Sequence, residues 1–326
     1  MSSSLEQLKR WSVVVADTGD FGQLRRFRPS EATTNPSLIL RASQQESCRD
    51  FCRSVTKNAR HVGEAMFQLL LHFGLEILKI IPGRVSLEVD ARLSFDSERI
   101  ITYARELASA LAKQGMGRER ILIKIAATCE GIQAARELEK EGIHTNLTLI
   151  FSLVQAIACA EARVGLVSPF VGRIWDWYQK HPEANHEGES DPGVLSVRRI
   201  FYHYKRRGYE TQIMAASFRH IEEILALAGC DLLTISPTFL AELQESQREV
   251  PRRLFIPEMS GEPEENGNLS GLGAAEFQLQ LTKDAMACEK LHEGIRQFCR
   301  DTDTLEELIQ RDWQNPSIES GENLKT

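Results

Sequence analysis

The chain lacks a hydrophobic run long enough to cross a bilayer: charged residues interrupt every apolar stretch well short of the roughly 20 that a spanning helix needs. Its opening, MSSSLEQLKRW, also lacks the apolar centre of a secretion signal, so the expectation is a cytoplasmic, unprocessed protein without a membrane partner. An excess of positive charge is missing as well. There are 39 Lys and Arg against 46 Asp and Glu, a formal net charge of -7, which excludes a broad nucleic-acid face. An anionic small ligand would have to be held by a local cationic pocket. The seven cysteines, Cys48, Cys52, Cys129, Cys159, Cys230, Cys288 and Cys299, are odd in number and scattered, which is no disulfide framework but fits reduced thiols.

Several chemical signatures are absent too. No P-loop and no GxGxxG occurs, and the eight histidines show neither HExxH nor triad-like spacing. Cys48 and Cys52 have helical spacing without a second pair or a nearby His, so they read as structural thiols rather than zinc ligands. The aromatic cluster Trp175-Asp176-Trp177-Tyr178 reads as packing under a loop.

What is present is a recurring pattern. With 42% hydrophobic residues the chain can bury a large core. Eight short runs follow one another, each ahead of a longer segment with helical spacing: Trp11 to Ala16, Glu31 to Asn35, Arg84 to Val89, Arg120 to Ile125, His144 to Phe151, Val164 to Pro169, Thr211 to Ser217 and Leu232 to Ser236. Such alternation predicts parallel β/α units, and eight of them in 326 residues predict an α/β fold closed into a (β/α)8 TIM barrel. An open doubly wound sheet is the alternative. Helices are expected from Ser94 to Gln114 and from Thr128 to Lys140, each stopped by a glycine. The stretch from Pro36 to Ile81 has room for more than one helix. An extra N-terminal helix and a C-terminal helix from about Lys283 to Arg311 should pack on the barrel, making residues 1–311 one domain and 312–326 a solvated tail. His181 to Gly193 and Gly261 to Gly273 read as surface loops.

Barrel chemistry collects at the carboxyl ends of the strands, where the βα loops meet. The expected strand ends carry polar residues in succession: Asp17, Asn35, Glu88, Lys124, Asn146 with Thr148, Ser168, and Ser217 followed by Arg219. Lys124 is the sharpest, because ILIKIAA sets an ammonium inside an apolar strand, where desolvation is costly unless relieved. A buried amine that is neutral can attack a carbonyl and form an iminium, an electron sink for making or breaking a neighbouring C–C bond. The plain alternative is a lysine that snorkels to the rim or pairs with a structural carboxylate. Asp17 and Glu88 have the acid–base character such chemistry needs, although each alone also suits a rim salt bridge or a helix cap. Arg173 and Arg219, with Ser217 at an expected helix start, suggest a phosphate site; surface ion pairing is the alternative.

The words around these residues resemble the transaldolase family. ATTNPSL (Ala32 to Leu38) and VADTGD (Val15 to Asp20) carry the resemblance first. It continues through GRVSLEVDARLSFD (Gly83 to Asp96), ILIKIAAT, GIHTNLTL (Gly142 to Leu149), SPFVGR (Ser168 to Arg173), DPGV (Asp191 to Val194), ASFR (Ala216 to Arg219) and AGCD (Ala228 to Asp231), over roughly Ser2 to Leu243. The resemblance implies transfer of a dihydroxyacetone unit from fructose 6-phosphate or sedoheptulose 7-phosphate to glyceraldehyde 3-phosphate or erythrose 4-phosphate, as in the pentose phosphate pathway. Neither a metal nor an organic cofactor is implied, and a homodimer is allowed. It implies that Lys124 forms the Schiff base, Asp17 takes the C4 hydroxyl proton, and Glu88 with Thr148 handles a catalytic water. Thr33, Asn35, Asn146 and Ser168 would then bind the sugar, while Arg173, Ser217 and Arg219 would hold the phosphate. Phe170, which lacks a hydroxyl, would favour transfer over release of the bound three-carbon unit.

Two departures fall beside these words and are expected close to the site: Cys129, where the family usually has tryptophan, and Ala215, where it usually has glycine. Near the C-terminus Asp284, Met286, Ala287 and Lys290 keep the family pattern, but FQLQLT replaces its usual aromatic and Asn. Every expected catalytic residue is retained, which favours an active enzyme, a paralogue with altered kinetics or acceptor range. The rivals are an aldolase that releases free dihydroxyacetone and an inactive barrel kept as a binding or regulatory subunit.

Overall fold

The structure, a computed structural model, describes residues 2–181, 191–256 and 271–314. A short helix, α1 (Ser4–Leu8), precedes eight strands: β1 (Val13–Asp17), β2 (Glu31–Thr33), β3 (Val85–Glu88), β4 (Ile121–Ala126), β5 (Thr145–Ile150), β6 (Leu166–Pro169), β7 (Gln212–Ala215) and β8 (Leu232–Ile235). All pair in parallel in chain order, and β8 returns to β1, closing the barrel that the sequence pattern predicts.

Helices follow the strands as the spacing requires. α2 (Phe21–Phe27) follows β1, while α3 (Pro36–Ser43), α4 (Glu46–Thr56) and α5 (Val62–Ile80) fill the long insertion after β2. α6 (Ser97–Lys113), α7 (Cys129–Lys140) and α8 (Leu153–Glu161) follow the next three strands. α9 (Gly172–Lys180) and α10 (Pro192–Arg207) follow β6, α11 (Ile221–Ala226) follows β7, and α12 (Pro237–Glu245) follows β8. The starts are chemically marked: Asp20, Asn35, Asp96, Thr128, Ser152 and Asp191 each accept a backbone N–H of the helix they begin.

Two helices close the chain, α13 (Ala274–Lys283) and α14 (Ala285–Gln314), where one was expected. Asp284 separates them, its carboxylate accepting the Ala287 N–H at 2.9 Å. α14 packs against α3, α5 and α9 and reaches β5, so it lies over the loops at one side of the barrel mouth. Pro192 and Gly193, read as loop, form the first turn of α10. Of the expected tail, 312–314 instead continue α14, while 315–326, the rest of the first loop at 182–190 and the stretch at 261–270 lie outside the described residues. Among the described residues, no helix is long and apolar enough to cross a membrane.

Candidate active site

Side chains alternate along a strand, so Val15 and Asp17, Leu122 and Lys124, Leu166 and Ser168, and Leu232 and Thr234 share the barrel interior. Val15, Leu122, Leu166, Met214 and Leu232 form a separate apolar layer. The intervening residues Val14, Ala16, Ile123, Ile125, Val167 and Leu233 belong instead to the core shared with the helices. Two positions further along four of these strands the interior becomes polar, at Asp17, Lys124, Ser168 and Thr234, whereas β7 is followed by Ala216. That step from an apolar to a polar layer, facing the carboxyl ends, creates the site.

Lys124 stands at its centre. Register pairs it with Glu88 on β3 and with Asn146 on β5. Its Nζ lies 2.9 Å from Glu88 Oε2, in ionic contact without an aligned hydrogen bond, and donates to the Thr34 carbonyl oxygen at 3.0 Å. The two side chains are only 5% and 4% exposed, so each charge depends on the other for compensation. Asp17 faces the same interior. Thr33 Oγ1 donates to Asp17 Oδ1 at 2.8 Å and meets Thr234 Oγ1 at 2.6 Å. Burial pushes the carboxyls of Asp17 and Glu88 above their usual range, and the Lys124 charge pulls each part of the way back. A carboxyl held above its usual range beside an amine is suited both to take and to return a proton.

A cavity of about 300 Å³ opens above this layer, with Asp17, Thr33, Asn35, Lys124, Thr148, Ser168, Phe170, Arg173, Ser217 and Arg219 all on its wall. The structure therefore brings ten of the twelve expected site residues to one space. Glu88 and Asn146 are not on that wall. Glu88 reaches Lys124 from the side and lines a neighbouring, more apolar cavity of about 230 Å³. Asn146 is fully buried behind Ser168: its Nδ2 donates to Ser86 Oγ at 3.0 Å and its Oδ1 accepts from Ser168 Oγ at 2.6 Å. Asn35 spends Oδ1 on capping α3, leaving its amide nitrogen for a ligand. Thr148 sits at a β-bulge between Leu147 and Ile150, next to Leu149 at φ 57°; bulges of this kind re-aim side chains at barrel rims. Its Oγ1 is buried with no hydrogen-bond partner among the described residues.

The cationic end needs two corrections to the sequence reading. Ser217 does not begin a helix; it has φ 63°, a left-handed backbone, and α11 starts only at Ile221. Arg219 is not free, because Asp176 on α9 binds its guanidinium through Nε and Nη2, the latter at 2.7 Å. Arg173 differs: it has no ion-pair partner among the described residues and lies over the Phe170 ring, 4.9 Å from its centroid, and near Phe298 at 5.7 Å. Burial and the nearby Arg219 charge lower its pKa, the mark of a cation that lacks a full countercharge. Two glycines let these segments meet. A Cβ on Gly172 would strike Arg219 and the Ser217 carbonyl, and one on Gly193 would strike the Val171 carbonyl.

Neither family departure reaches the cavity. Cys129 is the first residue of α7, and Ala215 points out of the barrel into the helical layer, opposite its inward neighbour Met214. Sequence reasoning missed Ser37 and Arg41 on α3, and Thr234, Ser236 and Phe239 around β8. The period of two along LLTIS would have found Thr234 and Ser236. Arg41 carried no comparable signal, since it reaches the mouth only because α3 runs across it. Trp177, expected under a loop, is buried in α9 and donates from Nε1 to Glu289 on α14 at 2.7 Å.

A closed parallel barrel with a buried lysine between two carboxylates at its mouth has the architecture of an aldol-chemistry enzyme. A family model described as Transaldolase/Fructose-6-phosphate aldolase matches residues 14–309. The chain belongs to this enzyme family, whose description spans both the transferase and the aldolase.

Proposed function

We propose that the protein is a transaldolase that moves a dihydroxyacetone unit between sugar phosphates through a Schiff base on Lys124. The observation that carries this reading is Lys124 itself, buried at the cavity floor with Glu88 2.9 Å from its Nζ and Asp17 on the same wall. Lys124 attacks the C2 carbonyl of a ketose phosphate. Glu88, with a water held by the Thr148 hydroxyl, moves the protons through carbinolamine formation and loss of water. Asp17 then takes the C4 hydroxyl proton. The C3–C4 bond breaks, its electron pair enters the iminium, and an aldose phosphate leaves while the three-carbon enamine stays on Lys124. An acceptor aldose phosphate reverses these steps.

Thr33, Asn35 and Ser168 are suited to the sugar hydroxyls, with Asn146 orienting Ser168 from behind. Arg173, the Ser217 segment and Arg219 are suited to the phosphate. One feature favours the transferase over the aldolase that releases free dihydroxyacetone. Phe170 is 5% exposed beside the cavity, with its ring against Phe151 and Arg173, and supplies no hydroxyl to protonate the enamine. The test is acceptor dependence: fructose 6-phosphate should be consumed steadily only when an acceptor aldose phosphate is added. Steady release of free dihydroxyacetone without acceptor would assign the aldolase activity instead. The reading places the substrates in a soluble compartment such as the cytoplasm and treats the barrel as one domain.

A further inference from the structure

Behind the cationic end of the cavity, Asp191, His220 and Glu223 bring three ligand-type atoms within 4.8 Å of one another. His220 Nε2 lies 3.9 Å from both Asp191 Oδ2 and Glu223 Oε1. The two oxygens are buried and have no hydrogen-bond partner among the described residues, and the Glu223 side chain is 0% exposed. Their sister oxygens are already committed. Asp191 Oδ1 accepts the Gly193 and Val194 N–H groups at the start of α10, and Glu223 Oε2 accepts the Arg219 N–H at 2.6 Å.

Among the described residues, the two carboxylates thus turn these oxygens toward one region with no donor within hydrogen-bond distance. Buried like charges at such range need a proton or a cation to offset their repulsion. His220 closes the group from the solvent side at 45% exposure, which gives an ion an entry path.

We propose that Asp191, His220 and Glu223 form a divalent-cation site for an ion of zinc-like preference, holding the β7 loop that carries Arg219 against the start of α10. One imidazole and two carboxylates are a donor set zinc accepts, and three protein ligands leave a position for water. Tetrahedral zinc with such ligands sets donor atoms about 3.3 Å apart. The 3.9 Å separations need only a small contraction, which the exposed imidazole can supply. The site is separate from Lys124 and does not depend on Schiff-base chemistry.

The experiment is titration of the chelator-stripped full-length protein with zinc chloride by calorimetry, beside His220→Asn and Asp191→Asn, the latter keeping a helix-capping side chain. One zinc equivalent is expected, with affinity at least tenfold weaker in both variants than in the parent protein. Substituting cobalt(II) identifies the donors: weak visible bands lost in His220→Asn support the site, whereas a strong thiolate band in the near ultraviolet assigns the ion to cysteine and overturns it. Identical zinc isotherms in parent and variants, or no zinc uptake because the two carboxyls share a proton, likewise overturn the proposal.

Discussion

Glu88 and Lys124 are register partners on adjacent strands, and their charged ends lie 2.9 Å apart in a site closed to water on nearly every side. In the proposed mechanism the pair acts as one proton-exchanging unit. Glu88→Gln keeps the shape but removes the base. It is expected to lower kcat by ~10²–10⁴-fold, the usual range for a general acid–base group, with a much smaller effect on KM. Rates of Schiff-base formation in single turnovers check this; an unchanged kcat would remove Glu88 from the mechanism.

Arg173 and Arg219 should not contribute equally to phosphate binding. Arg173→Ala removes the cation that has no ion-pair partner among the described residues and should raise KM for a ketose phosphate by ~10–100-fold, the worth of a charge-assisted hydrogen bond. Arg219→Ala should cost less, because binding must first draw its guanidinium from Asp176. Asp176→Asn weakens that competitor and should lower KM several-fold. A KM for Asp176→Asn above that of the parent would show that Asp176 orients Arg219 rather than competing for it.

Asp17 and Glu88 are both held above the usual carboxylate range, chiefly by burial. Each is a proton acceptor only above its raised value, so the acid limb of kcat/KM should fall above the ordinary carboxylate pKa of about 4. Linkage gives the matching sign for stability: the folded protein binds these protons more tightly than the unfolded chain. Their contribution is complete below the unfolded pKa and is lost as pH rises through the folded one. Asp17→Asn should therefore flatten the fall in Tm as pH rises above the ordinary carboxylate range. A parallel curve for parent and variant would contradict the assignment.

In the proposed mechanism Phe170 keeps a hydroxyl away from the three-carbon enamine. Phe170→Tyr places one on the cavity wall, where it can deliver a proton and let water finish the release. Free dihydroxyacetone should then form from fructose 6-phosphate without acceptor, at least tenfold faster than with the parent protein. Coupled reduction by glycerol dehydrogenase measures it, and an unchanged basal rate would mean that Phe170 does not set the partition.

Most of this architecture was legible in the sequence because the barrel imposes two strict regularities. Strand alternation puts Leu122 and Lys124 on one face, and the carboxyl-end rule then selects Asp17, Lys124 and Ser168 from many polar residues. What stayed hidden depends on contacts between distant segments. Asp176 meets Arg219 across 43 positions of chain, which no local pattern encodes. The left-handed turn at Ser217 replaced an expected helix start, because glycine or Asn usually marks such a backbone and serine does not. Cys129 and Ala215 neighbour the site in sequence but not in space: one heads a helix, and the other alternates away from the barrel interior.

The most direct measurement is borohydride reduction in the presence of fructose 6-phosphate, followed by peptide mass mapping. A covalent three-carbon adduct on Lys124 is the expected result, abolished in Lys124→Ala together with transfer activity. An adduct on another lysine, or full activity in Lys124→Ala, would contradict the Schiff-base mechanism.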